Sequence, residues 1–190
     1  MTISAFTTAP LDASTWPAFA DLVERSNGVW GGCWCMGFHE EGVNRGTTPE
    51  QNRERKHERV REGRAHAALV MDGDVCVGWC QFGPPAELPR IKARKAYDAA
   101  GITPADWRIT CFFVDKGRRH EGVAAAALSG ALEQIAGLGG GRVESYPEDT
   151  TDRKVSSSFL HNATVAMFEA QGFERVSRIG KDRWVVARTV

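Results

Sequence analysis

The sequence predicts a single α/β (α+β) domain in which helices flank one central sheet, and three observations carry that expectation. Strand-like apolar segments alternate with helix-period segments along the chain. A β-hairpin stands on either side of a strand–loop–helix unit. The 190 residues, 42% hydrophobic and 25% charged, suffice to bury one core.

Taken in order, Met1 to Ala9 is compatible with a short strand, and Asp12 or Ser14 can cap a helix with Trp16, Phe19, Leu22 and Val23 on one face. Asn27-Gly28 should end that helix. Val29 to Phe38 is too glycine-rich for a helix and too apolar for an exposed loop, so it is expected to be largely buried. Thr48-Pro49-Glu50-Gln51 combines a cap, a proline at the first helical position and a reciprocal Gln, which announces a helix. Its body to Glu62 is almost wholly charged and is read as a solvated face, or as a surface for an acidic acceptor or a second subunit. Ala65 to Met71, the turn Asp72-Gly73 and Val75 to Phe82 form a hairpin. Gly83 to Asp106 carries four prolines and a helix candidate from Arg90 to Ala100, and reads as an inserted segment. Trp107 to Val114 is an apolar strand. An alanine-rich helix runs to about Ala136, where Gly139 to Gly141 stop it. Arg142 to Tyr146 is a strand, Asn162 to Gln171 surrounds a helix, and a last hairpin turns at Gly180-Lys181.

Charge narrows the classes of partner. Lys plus Arg and Asp plus Glu number 24 each, so no global field draws the chain to nucleic acid or to an anionic membrane. No apolar run approaches the roughly 20 residues that span a bilayer, and Met1 to Pro10 has no basic patch followed by a hydrophobic stretch, which makes the cytoplasm the expected location. Cys33, Cys35, Cys76, Cys80 and Cys111 are an odd set placed largely in strand-like segments, and they read as reduced thiols.

The chemistry centres on the strand ending at Val114 and the helix that follows it. The first turn of a helix has N–H groups without intrahelical partners and a partial positive charge, and so receives anionic oxygens. Gly122 permits a close backbone approach, Ala124 to Ala127 keep the helix free of bulk, and Arg118 and Arg119 add charge. Leu128, Leu132 and Ile135 form the opposite, sheet-facing stripe. A solvated loop before a structural helix is the plainer reading of the same residues.

The run Phe112-Phe-Val-Asp-Lys-Gly-Arg-Arg-His-Glu-Gly-Val-Ala124 resembles the signature of the GNAT acyltransferase family, an apolar strand followed by [Q/R]-x-x-G-x-[G/A], with Arg119, Gly122 and Ala124 at its defined positions. Met167-Phe-Glu-Ala-Gln-Gly-Phe173 resembles the family's second signature. The resemblance is strong from Trp107 to Val190, weaker over Ala65 to Phe82 and vague before that. It implies a mixed sheet of about seven strands, with acceptor-side elements in residues 1–82 and the acyl-CoA-binding half in residues 107–190. It also implies direct transfer of an acetyl group from acetyl-CoA to an amine. The backbone of Phe112, Phe113 and Val114 would meet the pantetheine arm. Amides and side chains from Arg118, Arg119, His120, Glu121, Gly122, Val123 and Ala124 would hold the pyrophosphate, with Asn162 and Phe168 nearby. Phe168 stands where many members carry a tyrosine that protonates the departing thiolate, and a phenyl ring cannot do so. His161 and Ser156 to Ser158 are the candidates to replace it.

The resemblance places Glu144 and Tyr146 on the strand that splays from the cofactor strand. They share a face by alternation and are both candidates for the catalytic base, with a surface glutamate as the plainer alternative for Glu144. Cys33-Trp-Cys35 with His39 lacks a fourth zinc ligand, so no metal is expected; a buried wall beside the acceptor pocket is the reading, with a redox role second. The same segment resembles a GNAT-like subgroup carrying this Cys-Trp-Cys run. Arg90, Lys92, Arg94 and Lys95 are either a lid or plain surface. The rival to a transferase is a non-catalytic acyl-CoA-binding sensor or interaction module, and a homodimer is left open.

Overall fold

A computed structural model describes residues 6–43, 46–152, 154–156 and 160–190. Seven strands form one mixed sheet in the order β1-β2-β3-β4-β5-β7-β6: β1 (Thr7–Pro10), β2 (His66–Asp72), β3 (Val75–Gly83), β4 (Trp107–Val114), β5 (Arg142–Ser145), β6 (Glu174–Arg178) and β7 (Trp184–Thr189). Every neighbouring pair is antiparallel except β4 and β5, which are parallel. The helices are α1 (Trp16–Arg25), α2 (Pro49–Arg61), α3 (Arg94–Ala99), α4 (Val123–Gly137) and α5 (Val165–Glu169).

Sequence logic accounts for most of these elements. In α1 the expected face of Trp16, Phe19, Leu22 and Val23 is buried. The expected side-chain cap is not formed: Thr15 is the N-cap, and Asp12 instead accepts the N–H groups of Ser14 and Thr15, 2.8 and 3.1 Å away, in a turn before the helix. The Thr48/Gln51 capping box opens α2, with Gln51 N–H 3.2 Å from Thr48 Oγ1. α3 is shorter than the Arg90 to Ala100 expected, and α5 is shorter than Asn162 to Gln171, because Thr164 caps it and accepts from Met167 N–H at 3.3 Å.

α2 corrects the expectation of a solvated face. Asn52, Lys56, Arg59 and Val60 recur at helical spacing and are buried against the sheet, although the helix is nearly all charged. Each buried charge has partners. Arg59 pairs with Glu41 at 2.7 Å, and Lys56 Nζ donates to Gln81 Oε1 at 2.7 Å.

The two larger of three buried apolar clusters lie on opposite faces of the sheet. One packs Ala127, Leu128, Ala131, Leu132 and Ile135 of α4 on Val70, Cys80, Phe82 and Ile109. The other packs α1, Trp34 and Met36 on Leu69 and Trp79. Gly78 of β3 sets how closely α4 starts: a Cβ there would lie 2.6 Å from Val123 Cγ1 and 2.8 Å from Phe113 O. The first residue of α4 therefore rests on bare backbone.

Gly78→Ala should push Val123 outward and destabilise the fold by about 1–3 kcal/mol in urea unfolding. An unchanged midpoint would mean that α4 does not depend on this contact.

Candidate functional site

β4 and β5 are hydrogen-bonded only from Trp107/Val143 to Ile109/Ser145, and beyond this they part. The segment before α5 enters the opening. Asn162 Nδ2 donates to Thr110 O at 2.7 Å, and Phe112 N–H donates to His161 O at 2.7 Å. Among the described residues no further backbone bond joins the end of β4 to this side, so a groove of about 480 Å³ opens along it.

Phe112, Phe113, Val114, Arg119, His120 and Ala124 line this groove, as do Trp30, Thr164 and Met167. One end is the N-terminus of α4. Its N-cap, Gly122, takes φ +84°, supplies no side-chain cap, and is followed by no acidic residue in the first turn. The first-turn N–H groups therefore point outward without a side-chain partner, the arrangement that receives phosphate oxygens. His120 is held at φ +66°, a conformation uncommon for a residue with a side chain, and stands at the groove wall.

The remaining candidates from the same loop do other work. Arg118 is tied to Asp72 at 2.6 Å and to Glu121 at 2.8 Å, whereas Arg119 is exposed and has no such partner among the described residues. Val123 is buried on Gly78, and Asn162 is buried with its amide on β4. Phe168 is fully buried, edge-on to Phe112 and Phe173 with ring centroids 5.9 and 4.9 Å away. Ser156 is exposed, while Ser157 and Ser158 lie outside the described residues.

A second cleft, of about 640 Å³, adjoins the groove, and Trp30 lines both. Its wall takes Cys33, Cys35 and Phe38 from the glycine-rich loop, Arg90, Lys92 and Arg94 from the proline-rich segment, Cys111 from β4, and His161. The glycine-rich loop reaches this shape through several positive-φ residues with side chains, Val29, Trp30, Trp34 and Cys35 among them. His161 is packed near Trp30 and Phe38, with centroids 6.2 and 6.0 Å away. Burial, then the charges of Lys92 and Arg183, press its pKa down to about 4, so the ring is neutral at pH 7.

Behind the thiols lies a polar network that the sequence did not announce. Lys56 Nζ, fully buried, contacts Gln81 Oε1 and, at 3.1 Å, His39 Nε2, whose Nδ1 faces Glu87 O at 3.1 Å. Lys56 can only donate, so Nε2 accepts and Nδ1–H donates, which engages both nitrogens of His39. Burial and Lys56 push the His39 pKa down to about 2. Burial alone would raise the Cys35 thiol, but the Cys111 hydrogen bond, the Lys56 charge and Trp79 Nε1–H at 3.3 Å together lower it. All five cysteines are free.

Glu144 and Tyr146 line neither cleft. Glu144 is fully buried, where it accepts Tyr97 OH at 3.0 Å, Arg108 Nε at 3.1 Å and Tyr146 OH at 2.5 Å. This is not the surface glutamate of the plainer reading. Burial and Glu144 push the Tyr146 phenol far above its ordinary value, so it serves as a hydrogen-bond donor. Arg108 also reaches Leu88 O at 3.1 Å, and Tyr97 belongs to α3. The cluster thereby pins the proline-rich segment, and the cations it carries, to the sheet.

No protein-family model and no curated protein matches the chain. Solved structures do match along its whole length. An acetyltransferase from Thermus thermophilus is 16% identical, with 100% of both chains covered and a TM-score of 0.55. The PaiA N-acetyltransferase from Thermoplasma acidophilum, solved with coenzyme A, is 10% identical over 98% of this chain and 99% of that one, with a TM-score of 0.57. A Desulfovibrio desulfuricans protein described as a GNAT-family acetyltransferase is 17% identical over 97% and 99%, with a TM-score of 0.55. The chain has the GNAT acetyltransferase fold.

Two predictions follow the buried groups. Below pH 6.5 the unfolded chain protonates His39 and the folded chain, with its pKa of about 2, does not. Stability should therefore fall as pH is lowered from 7 to 5, with this one group contributing a slope approaching about 1.4 kcal/mol per pH unit. His39→Gln should flatten the fall of the urea midpoint, and an unaltered slope would clear His39 of that role. Glu144→Gln should lower the midpoint while leaving turnover per folded molecule unchanged; lost turnover at full stability would put Glu144 in the chemistry.

Proposed function

We propose that this chain is an N-acetyltransferase that takes the acetyl group of acetyl-CoA and passes it to an amine. The observation that supports this reading most directly is the meeting of two clefts at Trp30, one running along the free edge of β4 to the uncapped start of α4 and the other leading in beside His161.

The chain's residues suit the two ends of acetyl-CoA. Phe112, Phe113, Val114 and Met167 offer an apolar wall to the pantetheine arm. The first-turn N–H groups of α4, with Arg119 and His120 beside them, offer donors to the pyrophosphate. The thioester would then lie near Trp30 and His161, where the acceptor cleft joins.

Transfer requires the amine nitrogen to form a bond to the acetyl carbon, the carbon–sulfur bond to break, and one proton to leave the nitrogen. His161, neutral and at the cleft wall, would take that proton at an imidazole nitrogen and return it to the departing sulfur. Phe168 supplies no proton from its place in the core, which keeps a second reading in view: a binder of acyl-CoA that does not turn over.

Calorimetric titration with acetyl-CoA should give a single site, and thiol release should follow when amines are added. Arg119→Glu should weaken binding at least tenfold, the size of a lost charge-assisted bond worth about 1.5–3 kcal/mol. Binding without release on a broad amine panel favours the non-catalytic binder. Absence of binding removes both readings.

A further inference from the structure

We infer that the acceptor is an amine that also carries an anionic group, and that the cationic wall of the second cleft selects it. The inference rests on the acetyltransferase reading and goes beyond it by naming the class of acceptor. The wall places Arg90, Lys92 and Arg94 around one opening with no carboxylate among its lining residues.

Partners account for only part of this charge. Arg94 is paired with Asp98 at 2.8 Å. Arg90 donates its Nε to Glu40 O at 3.0 Å, and its guanidinium rests where a Cβ on Gly42 would come within 2.7 Å; a carbonyl and a glycine position it without neutralising it. Lys92 is exposed and makes no hydrogen bond or close ion pair among the described residues, although Glu148 lies near enough to favour its charge. Arg183 adds a further positive charge nearby, offset by its pair with Glu148.

The field of this wall is felt by the groups inside it. His161 and Lys92 are both shifted toward their neutral forms, by burial first; Lys92 and Arg183 then act on His161, and Arg183 acts on Lys92 against the opposing charge of Glu148. A polyamine or lysine-rich acceptor entering here meets like charge. An amine that carries a carboxylate or phosphate meets a counter-charge for its acid, and the same field favours the uncharged form of its amine, which is the form that attacks a thioester. The rest of the wall, Trp30, Phe38 and Ile91, suits an apolar or aromatic body between the two groups. The wall thus performs on the acceptor part of the work usually assigned to a general base.

The test uses the intact protein and matched acceptors: phenylalanine against phenethylamine, which lacks only the carboxylate, with O-phosphoethanolamine as the phosphate arm and spermidine as the polycation. Thiol release from acetyl-CoA is followed with each, beside calorimetric titration of acetyl-CoA. The expected result is kcat/KM at least tenfold higher for an anionic amine than for phenethylamine or spermidine, reduced severalfold by added salt because the cations reach solvent. Comparison of phenylalanine with O-phosphoethanolamine then assigns the acid as carboxylate or phosphate. Lys92→Met, at an exposed position, should raise KM for the anionic amine relative to KM for phenethylamine and leave acetyl-CoA affinity as it was. Equal or better turnover of phenethylamine or spermidine overturns the inference while the transferase stands. An undiminished preference in Lys92→Met overturns it also. Binding of acetyl-CoA with no release on any of these amines overturns this acceptor class and leaves the transferase to the broader panel. Failure to bind acetyl-CoA overturns the underlying reading with it.

Discussion

β4 and β5 run parallel and share hydrogen bonds over only three residue pairs before they separate, and much of the molecule is arranged around that separation. Strands in the middle of a sheet normally satisfy their backbone groups on both sides. Here β4 has one edge that, among the described residues, is shielded by His161 and Asn162 and unpaired beyond them. The groove follows from that geometry, and α4 begins at its end because a short loop joins β4 to the helix. Gly78 lets the helix start close to the sheet, while Leu128, Leu132 and Ile135 hold its body there.

Two buried polar clusters hold the second cleft in place. Glu144, Arg108, Tyr97 and Tyr146 bind the proline-rich segment to the sheet on one side. Lys56, His39 and Gln81 back the glycine-rich loop on the other. Charges taken out of water are tolerated only where hydrogen bonds replace the lost hydration, and Glu144, Arg108 and Lys56 each have at least two. Such clusters are sensitive to the loss of a single member, which gives the walls of the cleft fixed positions. The second cleft is thus framed by polar anchors, whereas the groove along β4 is framed by backbone and apolar packing.

The two halves differed in how much could be read beforehand. The strand, the Arg119 to Ala124 loop and the following helix were legible because capping, glycine placement and apolar spacing are local properties. Lys56 was not: in a helix of alternating charges nothing in its neighbours distinguishes a buried lysine from a solvated one, except that Asn52 and Val60 stand one turn to either side. Glu144 stands on the expected strand, but it faces away from both clefts: its neighbours Tyr97 and Arg108 come from distant segments, and their convergence turned a candidate base into a buried anchor. Trp30 went unassigned because its role depends on standing between two clefts built from different parts of the chain.

The sequence by itself determined the order of elements, the approximate boundaries of the principal strands, the glycine-opened, side-chain-uncapped start of α4 and the absence of a proton donor at Phe168. Each depends on residues within a few positions of one another, where dihedral preference and side-chain periodicity decide the outcome. Only the tertiary structure decided which polar residues are buried, which cations share a cleft, and that the two clefts meet. Burial and electrostatic field are sums over neighbours far apart in the chain, and no local pattern contains them.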